Sequence, residues 1–103
     1  MATAADDIPP VEHQPQHHRF AVVVDGTEAE LTYRRLGSTL ELVHTGVPEA
    51  IGGRGISGHL VEAAIDFAAS EGLTVKPTCP TAQAWLRHHP DKAAKVIVDW
   101  NGR

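Results

Sequence analysis

A glycine-dense segment and a single cysteine are the features of this sequence whose residue types and spacing could do chemistry. The segment Ile51–Gly58 (IGGRGISG) has four glycines among its last seven residues. Glycine lets a backbone approach a ligand closely, and the N–H groups at the start of a helix attract anions, so this segment is a candidate pyrophosphate site. It lacks the Gly-Lys-Ser/Thr of a Walker loop, and a plain turn that needs left-handed residues is the alternative.

Cys79 is the only cysteine, so no internal disulfide can form. A thiol of ordinary pKa is only ~3% thiolate at neutral pH, and a nucleophilic role therefore requires a nearby base or hydrogen-bond donor. His44 lies on a predicted neighbouring strand and is the candidate for that base, or for deprotonating an amine directly. The alternatives are a small buried thiol for Cys79 and a half-buried sheet histidine for His44.

Composition excludes several classes of partner. Thirteen Asp and Glu against nine Lys and Arg give a net charge of −4, and the scattered basic residues predict no nucleic-acid partner. No apolar run approaches the ~20 residues of a membrane span. The acidic start, Met1–Asp7, lacks the order of a signal peptide and favours a cytoplasmic location. The pairs His17-His18 and His88-His89 have no partner at zinc spacing, so we predict no metal site.

Three strands of an antiparallel meander are predicted to precede the glycine-dense segment. Turn residues separate them, because Asp-Gly and Gly-Ser interrupt β-branched or alternating runs. The predicted strands are Phe20–Val24, Ala29–Leu36 and Thr39–Val47. Alternation in the third strand predicts Leu40, Leu42 and His44 on one face, with Glu41, Val43, Thr45 and Val47 on the other.

A helix and a further strand follow, which together with the third strand predict a β-α-β unit with two parallel strands. Helical periodicity begins after Gly58, and Gly72 is placed to end that helix in a left-handed conformation. The strand Leu73–Cys79 contains Pro77, which cannot donate to a ladder and so favours separation from its neighbour. Thr81 is predicted to cap a second helix over Ala82–His88. Residues 1–17 are interpreted as a flexible leader, and residues 18–103 as one domain.

The order of several motifs, from about Phe20 to Pro90, is similar to one known family. Those motifs are Val43–Glu49 (VHTGVPE), Gly53–Ile56 (GRGI), Leu60-Val61, Ala63-Ala64, Gly72-Leu73, Val75, Pro77, Cys79-Pro80, Trp85-Leu86 and His88/His89-Pro90. They resemble the short YjdJ-type branch of the GNAT superfamily of acetyl-CoA-dependent N-acetyltransferases.

The resemblance implies a reduced GNAT fold without the substrate-side helices of larger members, and it associates Cys79 with the active site. It implies backbone contacts to the pantetheine arm from Thr45, Gly46 and Val47. It implies phosphate contacts from the turn, namely Gly52, Gly53, Arg54, Gly55, Ile56, Ser57 and Gly58. Gly46 stands where the branch commonly has Glu, which removes a carboxylate from the implied site.

The sequence therefore predicts a single α/β (α+β) domain of minimal GNAT-like fold, with a mixed, mostly antiparallel sheet, a β-α-β unit and two main helices. Its predicted function is transfer of an acetyl group from acetyl-CoA to an amine of a small molecule or protein, by direct attack or through Cys79. The alternatives are a CoA-binding module with little turnover and an interaction domain without cofactor. The acceptor and the oligomeric state stay open.

Overall fold

The computed structural model describes residues 8–100, which form one five-stranded sheet and three α-helices. The strands are β1 (Glu12–Gln14), β2 (Arg19–Val24), β3 (Thr27–Leu36), β4 (Thr39–Gly46) and β5 (Thr74–Pro77), and the helices are α1 (Ile56–Glu71), α2 (Pro80–His88) and α3 (Pro90–Ala93). The strands lie in the order β1-β2-β3-β4-β5, and only β4 and β5 are parallel. The predicted mixed, mostly antiparallel sheet is confirmed.

The meander β2-β3-β4 forms because its turns suit the twist of the strands. Asp25 and Gly26 both have positive φ (51° and 77°), as a tight two-residue hairpin turn requires. Gly37, with φ of 60°, turns the chain between β3 and β4.

Helix α1 carries the chain across the sheet from β4 to its parallel neighbour β5. Gly72 has φ of 69°, and its N–H bonds the carbonyls of Ala68 and Ala69, so it ends the helix as predicted. The outer edge of β5 is covered by the C-terminal segment, where Val98 forms a parallel bridge with Val75.

The helices cover one face of the sheet, and the hydrophobic core lies between them. Alternate residues of the strands pack there against the apolar side of α1. The largest fully buried side chains are Leu31, Leu40, Leu42, Ile51, Ile56, Leu60, Ile65, Leu86, Val61 and Val75. Across residues 8–100, every helix is too short or too polar to cross a membrane.

A β-bulge in β4 changes the predicted pattern of faces. Thr32 pairs with His44 and Tyr33 pairs with Leu42, so Val43 has no opposite residue on β3. The extra residue resets the alternation. Thr45 pairs with the fully buried Leu31 and therefore points to the helix-covered face. The predicted grouping of His44 with Leu40 and Leu42 is wrong for this reason.

Two further expectations differ from the structure. Strand β1 lies inside the segment interpreted as a leader, where the His13 ring stacks on Phe20 with centroids 4.4 Å apart. Residues 1–7 of that segment, and residues 101–103 of the predicted domain, lie outside the described residues. Thr81 is not the N-cap of α2; the helix begins at Pro80 and Cys79 occupies the cap position.

Candidate functional site

Strands β4 and β5 part from each other at one end, and the candidate site lies at that point. Their parallel pairing ends at Leu42 and Pro77. The Leu42 carbonyl there accepts bonds from the backbone N–H groups of Thr78 (3.1 Å) and Cys79 (2.9 Å). Beyond Leu42, no strand within residues 8–100 pairs with this edge of β4. The main chain of residues 43–46 is therefore free on that side to bind an extended ligand.

The glycine-dense turn faces the gap between the parted ends of β4 and β5, which is named here the slot. Gly53 and Gly55 have φ of 78° and 73°, and a Cβ built at either would have no heavy atom within 4 Å, so open space lies in front of both. Gly55 is the N-cap of α1 and supplies no side-chain cap bond. The first N–H groups of a 16-residue helix are thus left for a ligand, at the positive end of the helix dipole.

Slot and turn together enclose a cavity of about 310 Å³, named here the turn cavity. Its lining residues are Thr45, Val47, Gly52, Gly53, Gly55, Ile56, Ser57 and Thr81. Seven of them belong to the predicted cofactor set, and Thr81 was not predicted for this role. The cavity therefore joins the end of β4, the start of α1 and the start of α2.

Three residues of the predicted cofactor set lie elsewhere. Arg54 donates to the Asp25 carboxylate at 2.7 Å, so its charge is already paired across to the β2–β3 hairpin. Gly46 lines a separate cavity of about 440 Å³ with Arg19 on the other face of the sheet. Gly58 faces the indole ring of Trp85.

Cys79 lies beside the slot at the start of α2, with only 4% of its surface exposed. Its Sγ lies 3.4 Å from Thr45 Oγ1; the neutral thiol donates to this hydroxyl, and the thiolate accepts a hydrogen bond from it. Burial raises the pKa of the Cys79 thiol, but hydrogen bonds from Thr45 and then from the backbone at Ala82 and Thr81 lower it further than burial raises it. The pKa of Cys79 thus falls below its usual value, as expected for a thiol at a helix N-terminus.

His44 is not brought together with Cys79. Neighbouring residues of a strand point to opposite faces, so His44 lies on the face away from the helices while Thr45 lies on the Cys79 side. The His44 side chain is exposed, and its ring lies next to Gly46, where a Cβ would stand 3.3 Å from Nε2. The expected pairing of the His44 imidazole with the Cys79 thiol is wrong, because the bulge places His44 on the opposite face of the sheet. The thiol instead bonds the Thr45 hydroxyl.

Glu41 is a buried carboxylate near the end of the β4–β5 pairing that the sequence did not indicate. Its carboxylate is buried (5% exposed), accepts two bonds from Arg34 (2.9 and 3.1 Å) and accepts one from the Thr78 hydroxyl at 2.6 Å. The Thr78 bond lowers the pKa of Glu41 most, and Arg34 lowers it further against the opposing effect of burial. The sequence shows only that Glu41 lies between two leucines of a strand. Alternation of faces then predicts an exposed side chain rather than a buried one.

The donor set of the turn cavity fits a pyrophosphate with an extended arm. Uncapped helix N–H groups and open space at Gly53 and Gly55 suit the phosphates. The unpaired edge of β4 supplies main-chain groups for an amide-containing arm, and the thiol of Cys79 lies just behind Thr45. Fold and site together define a class of enzyme, an acyltransferase of the N-acetyltransferase type.

Comparison with known proteins gives the family. Residues 19–96 match the GCN5-related N-acetyl-transferase family, and the chain belongs to it. Protein NATD1 of Xenopus tropicalis is 40% identical over 83 residues, which cover 78% of this chain and 76% of the relative. Protein NATD1 of Homo sapiens is 39% identical over 83 residues, which cover 78% and 74% of the two chains.

A solved structure supports the fold. The NMR solution structure of a GCN5-like protein from Staphylococcus aureus superposes with a TM-score of 0.68 at 23% identity, covering 86% of this chain and 88% of that one. The predicted GNAT-like fold is confirmed, whereas assignment to the YjdJ-type branch stays a prediction.

Proposed function

We propose that this protein binds acetyl-CoA in the turn cavity and transfers the acetyl group to an amine. The observation that carries the proposal is the junction of an unpaired strand edge with an uncapped helix start in one cavity of about 310 Å³. Such a junction suits a ligand that has both an extended amide arm and a pyrophosphate. Membership of the GCN5-related family supports the same cosubstrate.

The chain's own residues would hold the two parts of the cosubstrate differently. The backbone at Thr45 and Val47 would bind the pantetheine amides, because this edge of β4 has no strand partner. The N–H groups from Gly53 to Ser57 would bind the phosphates. Arg54 would add its charge only after leaving Asp25. When bound, acetyl-CoA supplies the activated acetyl thioester.

Two routes of transfer are available. In the direct route the amine nitrogen attacks the acetyl carbonyl, a C–N bond replaces the C–S bond and CoA leaves as its thiolate, while the amine proton passes to His44 or to water. In the two-step route the Cys79 thiolate takes the acetyl group first and CoA leaves as its thiolate. The amine then displaces Cys79, whose thiolate takes up the proton that the amine loses. The lowered pKa of Cys79 favours the second route, while the exposed position of His44 suits the first.

Thermal unfolding tests the cosubstrate. A ligand held at a hundred times its Kd stabilises the fold by ~2.7 kcal/mol, which raises the Tm of a domain of this size by ~10–20 °C. We expect a shift of that size with acetyl-CoA and with CoA. No shift with either would contradict the proposal and leave the interaction-domain alternative.

Mass spectrometry separates the routes. Incubation with acetyl-CoA is expected to acetylate Cys79 in the two-step route, and an amine then removes the adduct. The variant Cys79→Ala is the control, because it keeps a small apolar side chain at a buried position. Amine acetylation at an unchanged rate in Cys79→Ala establishes direct transfer instead.

A CoA-binding module with little turnover is the second candidate. The observation that favours it is the low exposure of Cys79 (4%) together with the position of His44 on the opposite face of β4. This candidate predicts a full thermal shift with CoA but acetylation of neither Cys79 nor an added amine.

A further inference from the structure

A second cavity continues directly from the turn cavity on the side away from the splayed strands. It has a volume of about 410 Å³ and shares Gly55 and Ser57 with the turn cavity. Its far wall is formed by Trp85 of α2 and by His89, which follows that helix. A ligand anchored by phosphates at the glycine turn can therefore extend into it.

Trp85 and His89 form a stacked aromatic pair, named here the aromatic platform. Their ring centroids lie 4.2 Å apart with an interplanar angle of 18°. The His89 Nδ1–H bonds the Trp85 carbonyl at 2.8 Å, which holds the imidazole in place. A Cβ at Gly58 would lie 2.6 Å from Trp85 Nε1, so the indole reaches this position against α1 only because residue 58 is glycine. The platform is thus built before any ligand arrives.

The charged residues of the second cavity are largely paired with each other. Lys92 donates to the Glu62 carboxylate at 2.5 Å, and the two charges offset one another. The remaining polar side chains on the α1 side of the wall are Ser57 and His59, of which His59 is exposed. Recognition in this cavity therefore depends mainly on the flat aromatic surface, which suits a planar ring better than an anion.

We propose that the aromatic platform binds the adenine ring of CoA. This inference rests on the proposed function, because it places the nucleotide end of the same ligand. In the proposed arrangement the pantetheine arm of CoA lies along β4 and the pyrophosphate lies at the glycine turn. The ribose and adenine then extend past Gly55 and Ser57, toward Trp85. His89 covers one face of the indole, so the base would stack on the outer surface of the pair, and every purine has a face suited to such stacking.

Intrinsic fluorescence tests the platform without any turnover. The chain has two tryptophans, and in a Trp100→Phe background Trp85 is the only emitter. Adenosine 3′,5′-bisphosphate and CoA are both expected to quench Trp85, whereas 4′-phosphopantetheine, which has no base, is expected to leave its emission unchanged. Quenching by 4′-phosphopantetheine alone, or by no ligand, overturns the inference.

Two variants test the platform by affinity. Replacing an aromatic partner of a base typically weakens binding about five- to hundredfold, and we expect Trp85→Leu to do so for CoA while leaving the Kd of 4′-phosphopantetheine within about twofold. Gly58→Ala should reproduce this selective loss by displacing the indole, and its free energy of unfolding in urea separates that loss from a folding defect. Trp85→Phe should recover part of the affinity.

The two proposals fail in different ways. Equal loss of CoA and 4′-phosphopantetheine binding in Trp85→Leu, or no loss of either, overturns the platform while the proposed cosubstrate stands. Failure of both ligands to raise the Tm of the unmodified chain overturns the proposed function and the platform together.

Discussion

The Cys79 Sγ lies 3.4 Å from the Thr45 hydroxyl, and this contact joins the splayed end of β4 to the N-cap residue of α2. Thr45 also lines the turn cavity, whereas Cys79 lies behind it. Thr45 therefore contacts both the thiol and the turn cavity. Its bond also contributes to the lowered pKa of the thiol.

Thr45→Val is expected to raise the pKa of Cys79, because it removes a hydrogen bond that stabilises the thiolate. The measurement is the rate of Cys79 alkylation by iodoacetamide as a function of pH, whose midpoint should move to higher pH. Thr32→Val is the matched control, since Thr32 lies on the opposite face and bonds the His44 carbonyl. Equal midpoints in Thr45→Val and the unmodified chain would show that the hydroxyl does not tune the thiol.

Gly55→Ala and Gly37→Ala should destabilise the fold by similar amounts but differ in ligand binding. Both glycines have positive φ (73° and 60°) with open space around a built Cβ, so the cost in each is backbone strain of roughly 1–2 kcal/mol. Only Gly55 orients the start of α1, and only its variant should weaken CoA binding. Urea unfolding and calorimetric titration measure the two effects. A CoA affinity equal in both variants would contradict a role for the turn.

Acid should destabilise the domain through Glu41. The unfolded carboxyl takes up a proton near its ordinary pKa of 4.5, while the Thr78 and Arg34 bonds keep the folded carboxyl ionised to lower pH. Stability is therefore complete above about pH 4.5 and is lost as pH falls through the folded pKa. Urea unfolding from pH 3 to pH 7 should show a smaller acid-dependent loss in Glu41→Gln.

Thr78→Val should cost about 1–3 kcal/mol at neutral pH, because it leaves a buried carboxylate oxygen without a hydrogen bond that it now accepts. Thr78→Ser keeps the hydroxyl and should retain most of this stability. Equal free energies of unfolding for the Val and Ser variants would show that the Glu41–Thr78 bond contributes little.

His13 should make the domain less stable in mild acid. Burial lowers the pKa of His13 below 6.5, so the unfolded chain binds a proton at a pH where the folded chain does not. Stability should therefore fall as pH decreases from about 6.5 to the folded pKa, and then level off. NMR titration of the ring, which bonds the Tyr33 hydroxyl at 2.6 Å, checks this. A midpoint at or above 6.5 would contradict the prediction.

The replacement His13→Phe removes the titrating group but keeps an aromatic ring between Phe20 and Phe67, whose centroids each lie 4.4 Å from the imidazole. Its free energy of unfolding should vary less between pH 5 and pH 7 than that of the unmodified chain. An unchanged pH dependence in this variant would assign the effect to another group.

The sequence by itself determined strands β2 to β5 and helices α1 and α2, with their order, because each depends on local chemistry. Asp25-Gly26 specifies a tight hairpin, Gly72 ends a helix, and Pro77 cannot continue a ladder, wherever the rest of the chain lies. The order of motifs then indicated the GNAT superfamily, and the resemblance proposed the residues of the glycine-dense turn as a group.

Only the tertiary structure decided which side chains meet. The bulge at Val43 depends on the register between two strands, and it exchanges the faces of His44 and Thr45, so the partner of Cys79 is a hydroxyl rather than an imidazole. The burial of Glu41 depends in the same way on Thr78, thirty-seven residues later in the chain. Periodicity describes one segment at a time, whereas pairing register and long-range contacts arise from the whole fold.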